Sequence, residues 1–369
     1  MISDLFIEFI KLSIGQQDSL SKVPTGIEWA QLYALAEKQS IIGVCFNGIK
    51  HLIDSYPDVV TFLPQDLKMR WVGRVITIQR RNQQLNHKCY ELQKQFYSDG
   101  FMTSILKGQG NAALYPSEIS LFRQSGDIDI WVDCGFNKAL QYCRERYGNV
   151  EFDYINAHLP AFDGIEVELH WRVQAISNLF RNYQLQQWMD NTAVKEMLIS
   201  ERVKLENGYE IIIPDFAFNT FYQMLHLYHH MFESGLGLRQ LMDYYYLLIM
   251  GNLDESKKVW VVGLINEFGI SRFASAVMWI MQEVFGMDDK FLLCRADAKE
   301  GSYILNEVMA GGNFGHHDNR VRRVGSGKIQ FLFANLQHNW HLAKRYPSEF
   351  IWGPLWLVWH WVWKRTNRI

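Results

Sequence analysis

The sequence predicts an α+β protein in which a small mixed β-sheet core lies between helical N-terminal and C-terminal regions. Three observations lead to that class. Residues 1–98 repeat apolar side chains at helical spacing, residues 99–213 break into short apolar runs separated by glycine-bearing turns, and helical spacing returns across 214–369. The chain has 369 residues, 48% hydrophobic and 14% aromatic, enough to bury a large core in two or three packed units.

The opening residues carry Asp4 and Glu8 inside an apolar pattern, which reads as an amphipathic helix and not as a secretory segment. Thr25-Gly26-Ile27-Glu28 has capping-box spacing, and Trp29, Leu32, Tyr33 and Ala36 then recur on one helical face. A further helix is expected over about 77–98, with Leu85, Cys89, Leu92 and Phe96 on its apolar side. In the middle region Phe101–Leu106 reads as a short buried strand, Lys107–Gly110 as the turn after it, and Asn111–Tyr115 as a helix start. Ile128–Val132 is the second strand, Asn137–Tyr147 a helix, Ile165–Leu169 the third strand, and Tyr209–Ile213, ended by Pro214, the fourth. Beyond it Phe218, Phe221, Tyr222 and Leu225 mark a helix, and Gly311–Asp318, with His316, His317 and Asp318, reads as a mobile loop.

Composition excludes several classes. A formal charge of −2 provides no global basic field, so there is no strong nucleic-acid signature, although a local basic groove stays open. The five cysteines are scattered without a CxxC pair, as expected of reduced thiols in a cytoplasmic protein. No uninterrupted apolar run reaches spanning length.

The chemistry concentrates in Gly126-Asp127-Ile128-Asp129-Ile130. Period-two alternation puts Asp127 and Asp129 on one strand face and Ile128, Ile130 and Val132 on the other. Neighbouring carboxylates repel, and a hard divalent ion relieves that repulsion while accepting substrate phosphate oxygens. Mg2+ is therefore the expected cofactor, with Mn2+ as the alternative ion. Upstream, the turn at Gly108 feeds a helix whose backbone N–H groups suit phosphate. Lys107 and Arg123 are suited to neutralising a triphosphate, and Ser125 and Gly126 complete the expected nucleotide-binding set. A third carboxylate from the neighbouring strand would complete the site. Glu166 and Glu168 share a face there, and Glu168, which heads Glu-Leu-His-Trp, is preferred. His170 on the same face is either an orienting partner of a carboxylate or a packed histidine.

Together, Lys-Gly, Arg-x-x-Gly-Asp-Ile-Asp-Ile-x-Val and Val-Glu-Leu-His-Trp resemble the uncharacterised bacterial nucleotidyltransferase family of the polymerase-β-like superfamily. Leu-His-Leu-Tyr-His-His and Gly-Leu-Arg-Gln-Leu-Met-Asp, within His226 to Asp243, are similar to that family's helical C-terminal region, and the likeness covers about residues 25–250. The resemblance implies a nucleotidyltransferase core that moves a nucleoside monophosphate from an NTP to an unidentified acceptor hydroxyl. It places the metal and catalytic roles on Asp127, Asp129 and Glu168, and the glycine-turn role on Gly108. Two departures stand out: Gln109 follows Gly108 where the superfamily has a small residue, and the gap from Gly108 to Asp127 is long. The alternative they leave open is a non-catalytic NTP-binding or regulatory module, antitoxin-like in character.

Remaining motifs carry rival readings. His226, His229 and His230 are expected as core or cleft histidines in preference to a zinc site, for lack of an HExxH pattern. Arg239 and Asp243 are expected to pair within a helix, or Arg239 to hold a phosphate or acceptor. Residues 350–363 place Trp352, Trp356, Trp359 and Trp363 on one helical face, followed by Lys364, Arg365 and Arg368. That helix either packs on the body or forms a peripheral membrane or dimer contact.

Overall fold

The computed structural model describes residues 2–313, 340 and 342–367. His316, His317 and Asp318 of the expected loop, and Arg368, lie outside the described residues.

The N-terminal region is helical as expected. Thr25 caps Gly26–Lys38 through the foreseen box: its hydroxyl accepts from the Glu28 N–H, and the Glu28 carboxylate accepts from the Thr25 N–H. The helix expected from residue 77 is longer, a single 34-residue helix Gln65–Ser98 beginning after Pro64. Its buried residues Leu67, Trp71, Val75, Ile78, Asn82, Leu85, Cys89, Leu92 and Phe96 step by three and four, so one stripe faces the core throughout. Trp71 donates to the Ile42 carbonyl at 2.8 Å, tying this helix to Ile42–Ser55. Gly43 on that helix lies against Phe122: an added Cβ would stand 2.0 Å from the Phe122 carbonyl oxygen. Asn82 holds the same loop, donating to the Leu121 and Arg123 carbonyls at 2.7 Å each. The segment leading into Gly-Asp-Ile-Asp is thus clamped from the N-terminal side.

The central sheet has five strands: β1 (Thr103–Ile105), β2 (Ile128–Val132), β3 (Glu151–Phe152), β4 (Asn156–Phe162) and β5 (Ile165–His170), in the order β1-β2-β5-β4-β3. Among the described residues only β2 and β5 run parallel, with Asp129 opposite Glu168 and Trp131 opposite His170. β4 lies antiparallel to β5 and sets Asn156 opposite His170 and His158 opposite Glu168. One face is therefore polar at its centre. Ile128, Ile130, Val132, Val167 and Leu169 alternate to the other face and are buried in the core.

The β3 and β4 strands were not expected from sequence. Asn156, His158 and Pro160 interrupt any apolar alternation in β4, yet Asp163-Gly164 between β4 and β5 is a hairpin signal. Both residues adopt positive φ (51° and 71°), as a two-residue primed turn requires. The expected strand at 209–213 exists as β7 (Glu210–Ile213), but it pairs with β6 (Glu201–Lys204) in a separate hairpin.

Helices Phe216–Glu233 and Leu238–Gly251 supply the wall opposite the polar face. The C-terminal helix Pro347–Thr366 docks its tryptophans on the body: Tyr154 packs edge-on against Trp356, Trp359 and Trp363 at 5.0–5.6 Å, and Trp352 meets Phe180 at 5.6 Å. His360 pairs with Asp153 and Lys364 with Glu151. Among the described residues no helix is long and apolar enough to cross a membrane.

Candidate active site

A cavity of about 290 Å3 lies between the polar face of the sheet and the two facing helices. Lys107, Gly108, Arg123, Gly126, Asp127, Asp129 and Glu168 all line it, together with His170, Tyr222, Gln223, His226, His230, Glu233 and Arg239. Residues drawn from four separate elements thus meet in one place.

Asp129 is its most buried acid, 1% exposed. Its Oδ1 accepts from His170 Nε2 at 3.0 Å and from Lys107 Nζ at 3.1 Å. Its Oδ2 is buried without a hydrogen-bond partner, an expensive arrangement for a carboxylate oxygen unless a cation completes it. Glu168, directly across on β5, accepts from Asn156 at 2.5 Å and approaches His170 Nε2 at 3.3 Å. Asp129, Glu168 and His170 each bring a ligand atom within 4.8 Å of the others. Asp127 stands just before β2, half-buried, and is not within that group, but its charge is felt at Lys107, Arg123 and Glu168. Glu166 is exposed and outside the cavity.

The electrostatics follow from this packing. Burial would lower the His170 pKa, but its hydrogen bonds to the Asp129 and Glu168 carboxylates, and their charges, prevail and push it up to about 9, so the ring is an imidazolium at neutral pH. Burial would raise Glu168, and the His170 hydrogen bond and charge, with Lys107, hold it down at about 2. Burial also works against the Lys107 ammonium, and Asp129 more than restores it. In the absence of a cation the carboxylates are thus compensated by Lys107 and His170.

Three residues behave differently from the sequence expectation. Arg123 is committed to Asp243, with Nε and Nη2 donating to its two oxygens at 2.6 and 2.7 Å, and Nη1 donates to Ser125. Tyr115 donates to the same carboxylate at 2.7 Å. The fork expected to reach phosphate is therefore bound to a helix across the cavity. Arg239 was expected to pair with Asp243 one turn along. Instead Asp243 pairs with Arg123, and Arg239 donates to the Gln124 carbonyl at 3.0 Å. Ser125 donates to Gln109 Oε1 at 2.7 Å and does not line the cavity.

The glycine turn needs its glycine. Gly108 has φ 60° and ψ −109°, and a Cβ there would approach the Asp127 carbonyl oxygen to 3.2 Å. The helix after it begins at Gln109, earlier than expected, and spans only Gln109–Ala112.

A family model for uncharacterised nucleotidyltransferases matches residues 25–286. The chain belongs to that family. Among solved structures, an antigenic nucleotidyltransferase-like protein from Paracoccidioides brasiliensis is similar, covering 52% of this chain and 91% of that one at 14% identity and a TM-score of 0.30. Comparison with curated proteins returns no match.

Within this member of the family, the departure at Gln109 has a structural explanation. Its side chain, 1% exposed, turns away from the cavity, donates to Asn86 of the long helix and accepts from Ser125. The bulk absent from the superfamily's turn is accommodated inside the protein. His226 and His230 are cleft histidines: their Nε2 atoms lie 2.9 Å apart, Gln174 reaches His226 Nδ1 at 3.3 Å, and His230 Nδ1 meets Ser234 at 2.7 Å. Burial holds both rings well below the usual histidine range, so they are neutral, whereas Glu233 raises His229. Asn156 and Gln174 could not have been found from sequence, because their places depend on β4 and on the loop after β5.

Proposed function

We propose that this chain is a divalent-metal-dependent nucleotidyltransferase, in which an acceptor hydroxyl attacks the α-phosphorus of an NTP and pyrophosphate leaves. The observation that carries the reading is the pairing of Asp129 with Glu168 across adjacent parallel strands, with the Asp129 Oδ2 atom buried, unpartnered and beside the cavity. The donor set fits a hard cation: Asp129, Glu168 and, at the mouth, Asp127 offer carboxylate oxygens. Mg2+ held there, or Mn2+ in its place, would neutralise the triphosphate and favour departure of pyrophosphate.

The chain's own residues supply the rest. His170 bridges Asp129 and Glu168 and holds both carboxylates in register. Lys107, already at the cavity, is placed to exchange part of its contact with Asp129 for a phosphate oxygen. Gly108 lines the cavity, and its lack of a side chain lets the turn pack against the Asp127 carbonyl and present backbone to a bound nucleotide. Arg123 acts through Asp243, fixing the Gly126-Asp127 segment against the C-terminal helices. Catalysis in such a site is chiefly positioning and electrostatic stabilisation of the displaced phosphoryl oxygens.

A second reading has one observation in its favour. Lys107 and His170 already compensate Asp129, so the acid cluster is stable as an NTP-binding module without turnover. Pyrophosphate release separates the two. With NTP, Mg2+ and fractionated cell extract, the enzyme releases pyrophosphate and loses that activity on Asp129→Asn, whereas a module binds NTP and releases none.

A further inference from the structure

Of the two readings the sequence left for the C-terminal helix, packing on the body describes its tryptophan face, which is turned inward onto Tyr154, Phe136 and Phe180. A different face is left over. Ile351, Leu355, Val358 and Val362, spaced four, three and four residues apart, form one stripe along Pro347–Thr366 and are 58, 48, 56 and 46% exposed. Trp361 borders the stripe, and Trp340, 71% exposed, packs against Phe350 near the start of the helix. A continuous apolar stripe of this kind is the mark of an interaction surface, unlike scattered single exposed residues.

Charge selects the occupant. From Phe350 to Ile369 the sequence contains no Asp or Glu; Lys364 is taken by Glu151 of the body, which leaves Arg365 as the cation beside the stripe among the described residues. Arg365 is exposed at the end of the stripe, with its guanidinium over the Trp361 ring at 3.9 Å. Helix Pro347–Thr366 also has no fully buried residue, so it lies on the body as an outer layer. Aliphatic side chains in a row, with a tryptophan and an exposed arginine at the margin, are the features of a helix lying in the headgroup region of a bilayer.

We infer that the Ile351-Leu355-Val358-Val362 face of the C-terminal helix docks on an anionic lipid surface, holding the catalytic body against the membrane without spanning it. The aliphatic stripe enters the acyl boundary and Arg365 meets the phosphate headgroups. The tryptophan face keeps the helix attached to the body. This inference is independent of the reading of the cavity.

The test is vesicle flotation of the full-length protein, with phosphatidylcholine vesicles and with phosphatidylcholine–phosphatidylglycerol vesicles. The expected result is partition to the anionic vesicles that weakens with salt, and a loss of about tenfold or more in the L355E/V358E variant. Both substituted side chains are exposed, and an unchanged circular dichroism spectrum and melting temperature establish that the variant is folded. Failure of the wild-type protein to float with anionic vesicles overturns the inference, as does undiminished flotation of the folded variant. A dimer by light scattering that L355E/V358E converts to monomer, with no flotation, also overturns it and assigns the stripe to a second copy.

Discussion

Substitution of Asp243 by Asn tests whether Arg123 serves the fold or the phosphate. Asp243 receives three hydrogen bonds within 2.7 Å, two from the Arg123 guanidinium and one from the Tyr115 hydroxyl, and both members of the ion pair have side chains only 5% exposed. An Asn there keeps the volume but leaves a buried guanidinium without its counter-charge, a loss that costs about 3–5 kcal/mol when a buried pair is broken from one side. Replacing both partners by apolar residues removes the stranded charge. R123M/D243L should therefore recover most of that loss, less about 1–3 kcal/mol for the Tyr115 hydroxyl left unpartnered. The assay is urea unfolding followed by tryptophan fluorescence, run as a double-mutant cycle on D243N, R123M and R123M/D243L. A loss under about 1 kcal/mol in D243N, or a double variant no more stable than D243N, would refute the assignment of Arg123 to this latch.

Three further outcomes follow from the same geometry. Gly108→Ala should cost more than about 1 kcal/mol in unfolding free energy, because φ is positive and the new Cβ meets the Asp127 carbonyl; a neutral effect in urea unfolding would contradict the tight turn. Gln109→Ser, which restores the small residue of the superfamily, should weaken the protein by about 1–3 kcal/mol without improving NTP affinity, since Asn86 and Ser125 lose their shared partner; tighter NTP binding by calorimetry would show that Gln109 obstructs the turn. The His170 pKa is raised in the folded state, so its contribution is present in full below pH 6.5 and is lost as pH rises through about 9, roughly 3 kcal/mol in all. Metal-free protein should accordingly lose stability over that window, and His170→Gln should flatten the profile measured by urea titration at successive pH values.

How far the sequence carried the reading depends on the range of the interactions involved. Strand β2, its Asp129 and the Asp127 just before it were legible because the Gly-Asp-Ile-Asp signal is local, and the place of Glu168 followed from the run it heads. The capping box at Thr25 was likewise a four-residue signal. The β3–β4 pair was missed because polar residues in β4 serve the site: Asn156 bonds Glu168 and His158 lies beside it, which erased the apolar rhythm a strand normally shows. The partners of Arg123 and Arg239 were not legible for a different reason. Asp243 lies four residues from Arg239 but 120 from Arg123, and only the packed fold reveals that the distant arginine takes both of its oxygens. Gln109 looked like a defect while its neighbours were unknown; Asn86 and Ser125 supply the partners that make it a structural residue. The tryptophans of the last helix were placed on one face correctly, yet periodicity alone does not tell an inward face from an outward one.

The most direct test of the central claim is label transfer from NTPs carrying the label at the α or the γ phosphate, incubated with the protein, Mg2+ and fractionated cell extract. The account predicts that α label, and not γ label, appears on an acceptor fraction with release of pyrophosphate, and that D127A/D129A abolishes the transfer. Transfer of γ label, or α-label transfer undiminished in D127A/D129A, would contradict it.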